Sequence, residues 1–294
     1  MQNRYIWYVG SAVVFLALAI GITSYIYFSK EEVIVEDIVV EAPIKYPIES
    51  VIGKSVEGKD IVAYTYGDGD TRVIFVGGIH GGYEWNSVYL MHRYLDYLNE
   101  SMKSVPPGIE LVVIPVLNPD GLYEVVGTAS RFDPATTPAV KETEPGRFNA
   151  NDVDLNRNFD CNWQATSTWR TEIVDAGTDV FSEPEAKALR DFILKKDTSA
   201  VVFWHSASNA VYASACNGDV SSTTRDIMNA YANASGYPTF DSFEHYEITG
   251  DAGDWLAKIG IASIAVEMAD HDTIDWSREL AGINAVLEYF SVDR

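Results

Sequence analysis

The sequence predicts an α/β sandwich of three layers, with helices covering both faces of a largely parallel central sheet. Three observations point there. Short apolar runs alternate with segments of helical length and pattern. Three of those runs lead into, or end at, a His or a Glu. Hydrophobic residues make up 47% of the 294 positions, enough for one substantial core plus an N-terminal extension. No internal repeat or low-complexity segment interrupts the pattern.

The extension comes first. Residues 5–28 carry no charge, a length that crosses a bilayer as a helix. Tyr5, Trp7 and Tyr8 stand at one end and Tyr25, Tyr27 and Phe28 at the other, as in interfacial belts. Arg4 and the amino terminus are positive, whereas Lys30 is followed by Glu31, Glu32, Glu36 and Asp37. The positive-inside rule then leaves residues 1–4 in the cytoplasm and places the rest outside it, as a single-pass membrane protein. The competing reading is a signal peptide cleaved near Ala17-Leu18-Ala19, giving a secreted protein. Residues 29–48 form an acidic linker with two prolines, and the folded domain is expected over 49–294.

Within the domain, strands are expected at 61–66, 72–77, 110–116, 199–205, 210–213 and 261–267. Helices are expected at 85–99, 183–196, 221–234, 252–259 and 275–290. The run Val73 to Val76 is followed by His80-Gly81-Gly82-Tyr83-Glu84, with His80 and Glu84 four residues apart. A catalytic zinc takes three protein ligands and keeps one position open, so these are two candidate ligands. His205, ending the run Ala200 to Trp204, is the candidate for the third. Glu267 ends the run Ile261 to Val266 and is placed to act as a base. Of the five histidines, His92 falls within a helix as a surface or packing residue. His245 and His271 fall in polar segments and can line a site without binding metal. Ser182 and Glu185 read as a capping box opening the second helix. The long segment from Gly127 to Asp179 is loop-rich and suits the wall of a site.

Between the ligand segments lies Asp154-Leu-Asn156-Arg157-Asn-Phe159. The same chain carries Ile52 to Lys59, Asn118-Pro-Asp-Gly121, Phe181-Ser-Glu-Pro-Glu185, His205-Ser206 and the late Glu267. In this order, from about Ile52 to about Tyr289, the set resembles the zinc metallocarboxypeptidases of the carboxypeptidase A superfamily, peptidase family M14. In style it is nearest to compact bacterial members that include murein-peptide amidases.

The resemblance implies a mixed eight-stranded sheet and one Zn2+ per chain, held by His80, Glu84 and His205. It implies Glu267 as general base and then acid. Asn156 and Arg157 match the pair that grips a substrate's terminal carboxylate, a task suited to the two-pronged guanidinium. Arg147, nine residues before Asn156, is the candidate for steadying the oxyanion. Asp154 either accepts a hydrogen bond from a ligand histidine or simply forms a turn. Tyr246 either closes over substrate from a glycine-containing loop or packs as one more of 17 tyrosines. The linker is too short for the folded inhibitory pro-domain of secreted digestive members.

Cys161 and Cys216 each follow a site segment, and either form a disulfide bordering the zinc or remain two free thiols. The formal charge of -22 argues against nucleic acid as a partner. Asp251, Asp254, Asp270 and Asp272 cluster near Tyr246 and Glu267, where they either favour cationic substrate groups or form a solvated acidic face. Gly253, at the place of the family's side-chain specificity residue, leaves the pocket undecided.

The expectation is a membrane-anchored, extracytoplasmic zinc carboxypeptidase. Its substrates would be peptides or muropeptides with a free C-terminal carboxylate. The alternatives are an N-acyl amino acid deacylase of the aspartoacylase and succinylglutamate desuccinylase type, or an inactive surface protein that binds peptide termini.

Overall fold

Alternation along the strands decides how the sheet is covered. In β3 (Thr71–Val76), Val73 and Phe75 turn to one face, Ile74 and Val76 to the other, and all four are buried. β7 (Ala200–Ser206) repeats this, with Val202 and Trp204 on the first face and Val201 and Phe203 on the second. Strands apolar on both faces belong in the middle of a sheet between two helical layers.

The computed structural model describes residues 46–100 and 105–291. Six further strands join β3 and β7 in one sheet: β1 (Ile48–Lys54), β2 (Asp60–Tyr66), β4 (Ile109–Ile114), β8 (Ala210–Ala213), β9 (Thr239–Phe240) and β10 (Ala262–Met268). Their order is β1-β2-β4-β3-β7-β10-β8-β9. The central four, β4, β3, β7 and β10, run parallel, while β2 pairs antiparallel with β4 and β8 with β10. The sheet is therefore mixed with a parallel centre. A separate hairpin joins β5 (Thr166–Trp169) to β6 (Glu172–Asp175).

One face is covered by α1 (Trp85–Glu100), through Leu90, Met91 and Tyr94 among others. A second and a third helix, Ser222–Ser235 and Trp276–Ser291, complete that layer through Ile227, Tyr231, Ile283 and Val286. The opposite face is covered by Pro184–Leu194, through Leu189 and Ile193, and by Ala252–Lys258, through Trp255 and Leu256.

All expected strands and helices are present, with ends within two residues of the expected ones. Elements absent from the expectation are β1, β5, β6, β9, the helices Pro119–Val126 and Val140–Thr143, and the short 3-10 turns Pro134–Thr136, Glu144–Arg147 and Leu155–Arg157. β1 and β9 are edge strands, and β1 alternates only weakly, with Val51 exposed on its surface. The helix after Asn118 carried visible signals. The Asn118 side chain accepts from Gly121 N, Pro119 sits in the first turn, and Gly127 ends the helix at φ 72°.

The expected capping box at Ser182 and Glu185 does not form. The helix starts at Pro184 with Glu183 as its flanking residue, which leaves Glu185 one position too early to reach back. Glu185 instead accepts from Val56 N and Asn149 Nδ2, tying the turn after β1 to the segment leading into the site. His92 is buried, with neither ring nitrogen hydrogen-bonded among the described residues, which is a packing position rather than a surface one. The expected membrane span at 5–28 lies outside the described residues. Among the described residues no helix is long and apolar enough to cross a membrane.

Candidate active site

Three parallel strands end at the same edge of the sheet, and each delivers a functional side chain there. In β7 the odd-numbered positions face one way, so His205 follows Val201 and Phe203. In β10 the same parity puts Glu267 after Ser263 and Ala265, and the register pairs Glu267 with His205. His80 lies just past β3 in a turn pressed against its surroundings. Gly81 there has φ 44°, and a Cβ on it would come within 2.6 Å of Gly146 O. The turn folds back so that the Tyr83 backbone N–H donates to His80 O, and this brings Glu84 round beside His80.

The three candidate ligands converge. His80 Nδ1 lies 2.9 Å from Glu84 Oε1, His205 Nδ1 lies 3.0 Å from Glu84 Oε2, and the two Nδ1 atoms are 3.3 Å apart. All three side chains are buried. Donors bound to one tetrahedral zinc at about 2.0–2.1 Å stand roughly 3.3 Å from each other. Two imidazole nitrogens and a carboxylate turned inward at nearly this spacing fit that ion. Burial pushes the Glu84 carboxyl up, but His80 and His205 outweigh it and hold the group well below the usual carboxylate range.

Asp154 sits behind this cluster, fully buried. Its Oδ1 lies 3.3 Å from His80 Nε2 and also accepts from Asn156 N, while its Oδ2 accepts from Arg147 at 3.0 and 2.8 Å. It is at once a turn former and the neighbour of a ligand histidine. Burial raises its carboxyl, but Arg147, then Arg157 and His80, keep it well below the ordinary range.

Glu267 faces the cluster and accepts from Ser208 N at 3.3 Å. Burial pushes its carboxyl up to about 7; His205 opposes the rise and Glu84 adds to it. Arg147 is buried, with its guanidinium over the Trp169 ring at 4.6 Å and its Nη1 3.9 Å from Glu84. Arg157 is 1% exposed and, among the described residues, donates only to backbone carbonyls, those of Asn156 and Thr168. Asn156 uses its side chain on the helix that starts at Ala252, donating to Asp251 Oδ2 and accepting from Ala252 N. Tyr246 is half-buried against Phe243, and its phenol is raised by burial.

All of these except Asp154 line one cavity of about 730 Å3. His245 and His271 line it too. Of the four clustered aspartates, Asp251 and Asp254 reach the cavity, whereas Asp270 turns to Thr273 and neither it nor Asp272 is among the lining residues. Sequence reasoning gave no place to Tyr83, Trp169 and Arg170. Arg170 donates to Tyr83 Oη at 2.7 Å, and His271 stands on the other side of that hydroxyl at 3.2 Å. Cys161 and Cys216 are bonded, which ties the segment after Arg157 to the one after β8.

Residues 45–285 match the sequence profile of the M14 peptidases, described as zinc carboxypeptidase. This chain belongs to the zinc carboxypeptidase family. Its cofactor is accordingly zinc, and among the described residues His80, Glu84 and His205 are the group placed to hold a metal ion. Among curated relatives, it is 27% identical over 238 residues to a carboxypeptidase B of Helicoverpa zea, covering 72% of this chain and 54% of that protein. It is 30% identical over 172 residues to a zinc carboxypeptidase of Simulium vittatum, covering 55% and 54%. The chain thus spans about half the length of these relatives.

Solved structures share the fold. The murein-tripeptide amidase MpaA of Escherichia coli O157 aligns at a TM-score of 0.60 and 22% identity, over 85% of this chain and 94% of that one. Bovine thrombin-activatable fibrinolysis inhibitor aligns at 0.65 and 20%, over 83% and 90%.

Proposed function

We propose that this chain is a zinc-dependent carboxypeptidase that removes C-terminal residues from peptides. The observation that carries the reading is Arg157. It is a buried guanidinium that feels Asp154 but has no carboxylate within ion-pair distance among the described residues, and it opens onto the cavity that holds the zinc donors and Glu267. A buried cation with no carboxylate in contact is costly, and a substrate's terminal carboxylate relieves that cost.

With the carboxylate on Arg157, the last peptide bond lies toward His80, Glu84 and His205. Zinc bound there supplies Lewis acidity, which acidifies water and polarises a carbonyl. Glu267 takes a proton from the attacking water, whose oxygen bonds to the carbonyl carbon. Arg147 faces the charge that develops on the carbonyl oxygen. Glu267 then passes its proton to the leaving amine as the C–N bond breaks, so the products are a shortened peptide and a free amino acid. Tyr246 borders the cavity on a loop that lines it.

Resemblance in fold to a murein-tripeptide amidase that the chain covers over 94% of its length makes cell-wall peptides candidate substrates beside ordinary ones. The uncharged stretch at 5–28 supports a membrane anchor, followed by a linker at 29–48, with the domain outside the cytoplasm. Protease treatment of intact cells should then remove the domain; full protection would place it inside.

The enzyme reading is tested with zinc-loaded protein and paired peptides whose C-terminus is free or amidated. Arg157→Ala should lower kcat/KM on the free peptide by tenfold or more, as expected for the loss of a charge-assisted contact worth about 1.5–3 kcal/mol. Equal losses on both peptides would remove Arg157 from substrate recognition.

A further inference from the structure

A second, smaller cavity lies on the flank of α1. The helical repeat puts Tyr89, His92, Arg93 and Asp96 on one stripe of that helix. The segment after helix Pro119–Val126 crosses the stripe. Arg131 there donates twice to Asp96, at 2.9 and 2.8 Å. The neighbouring Phe132 ring meets Trp85 edge-on at 5.9 Å and Tyr89 at 6.5 Å. The four stripe residues, with Arg131 and Phe132, line a space of about 170 Å3, and none of the six lines the zinc cavity.

His92 calls for an occupant. It lines this space at 6% exposure, and both of its ring nitrogens are buried without a hydrogen-bond partner among the described residues. Burial, and after it Arg131, hold the imidazole down at about 4 against the pull of Asp96, so the ring is neutral at ordinary pH. A neutral imidazole has one N–H to donate and one nitrogen to accept, and here neither is used. Buried polar groups in that state are rare. The charge of the cavity gives the sign of its ligand. Asp96 is taken by Arg131, whereas Arg93 rests over the Trp276 ring at 4.6 Å with no carboxylate within ion-pair distance among the described residues. A guanidinium left uncompensated on a chain of net charge -22 favours an anion. Tyr89 and Phe132 add flat apolar wall, which offers water few partners. Volume sets the size. A void of about 150 Å3 takes benzene, so this one holds a single small ring with a head group.

We propose that this cavity is a second binding site, separate from the zinc site, for an aromatic carboxylate about the size of benzoate. The carboxylate meets Arg93 and the N–H of His92, and the ring lies against Tyr89 and Phe132. A neutral ring of the same size forfeits the guanidinium, and a small anion without a ring forfeits the walls. The inference does not depend on the carboxypeptidase reading, because the two cavities share no lining residue.

The test is calorimetric binding of benzoate, benzyl alcohol and acetate to the zinc-loaded full-length chain carrying Arg157→Ala. That change removes the guanidinium that would hold a carboxylate in the zinc cavity, so what still binds reports on the second one. Benzoate should bind at one per chain and at least tenfold more tightly than benzyl alcohol or acetate. Adding Arg93→Gln, at an exposed position, should weaken benzoate tenfold or more and leave benzyl alcohol within twofold. Adding His92→Phe instead keeps a flat ring but no N–H, and should weaken benzoate as well. Should that buried variant fail to fold, Arg93→Gln alone decides. Benzoate binding that disappears with Arg157→Ala belongs to the zinc cavity and overturns the proposal. So does a benzoate affinity unmoved by Arg93→Gln, or equal affinity for all three probes.

Discussion

Glu267 shows how much a single position in a strand can disclose. An acidic residue that ends an apolar run, in register with a histidine ending another, stands out in the sequence because strands alternate and terminate predictably. His205 was legible for the same reason, and His80 and Glu84 as a His and a Glu four residues apart just after the run Val73 to Val76. Tyr83, Trp169 and Arg170 were not, because they lie on loops whose meeting depends on tertiary packing and follows no periodicity. Asp154 was legible only as two alternatives, and the structure unites them. Glu267→Gln keeps the shape of the side chain but cannot accept the water's proton. The variant should bind one zinc per chain, by metal analysis, yet lose about 10²–10⁴ in kcat. Turnover near that of the parent enzyme would take Glu267 out of the proton path.

Elements with a strong apolar period were legible to within two residues at their ends, while edge strands and the β5–β6 hairpin were not. Their half-exposed patterns carry little hydrophobic signal, as the exposed Ile173 in β6 illustrates. The helix Pro119–Val126 was missed although its Asn, Pro and Gly signals are local, because Asn118 to Gly121 reads first as a family motif. The loop between β4 and β7 needed long-range ties to be placed. One of them is the Cys161–Cys216 bond, which closes a span of 55 residues and holds the segment after Arg157. Replacing both cysteines with serine should cost about 2–4 kcal/mol in urea unfolding. The same change should raise KM more than it lowers kcat, since the Gly250 N–H donates to Cys161 O beside the substrate loop. Unchanged stability in the double variant would show that the bond only follows a fold held by other contacts.

At the scale of the molecule, four enclosed carboxyls set a pH dependence. Asp254 and Glu267 are raised to about 7, and Glu185 and Glu279 are also raised, in each case first by burial. Folded protein therefore binds more protons than unfolded protein between the ordinary carboxylate range, about 4, and these higher values. Stability from this source is greatest on the acid side of that window and falls as pH rises through it. Carboxylates held low, such as Asp154, act below the window and with the opposite slope. In metal-free protein, the urea midpoint should decline between about pH 4.5 and 7. The decline should be shallower in Asp254→Asn, and an identical slope in that variant would mean Asp254 titrates as an ordinary surface carboxylate.

The central claim concerns one cavity that joins a zinc donor set to a buried cation built for a carboxylate. It is tested most directly by mass spectrometry of products from a mixed peptide library and purified muropeptides, each with free and amidated C-termini. The zinc-loaded chain is incubated with them in the presence and absence of a chelator. The account predicts loss of single C-terminal residues from free-ended substrates only, abolished by the chelator. Internal cleavage, equal cleavage of amidated peptides, or products that persist with the chelator would contradict it.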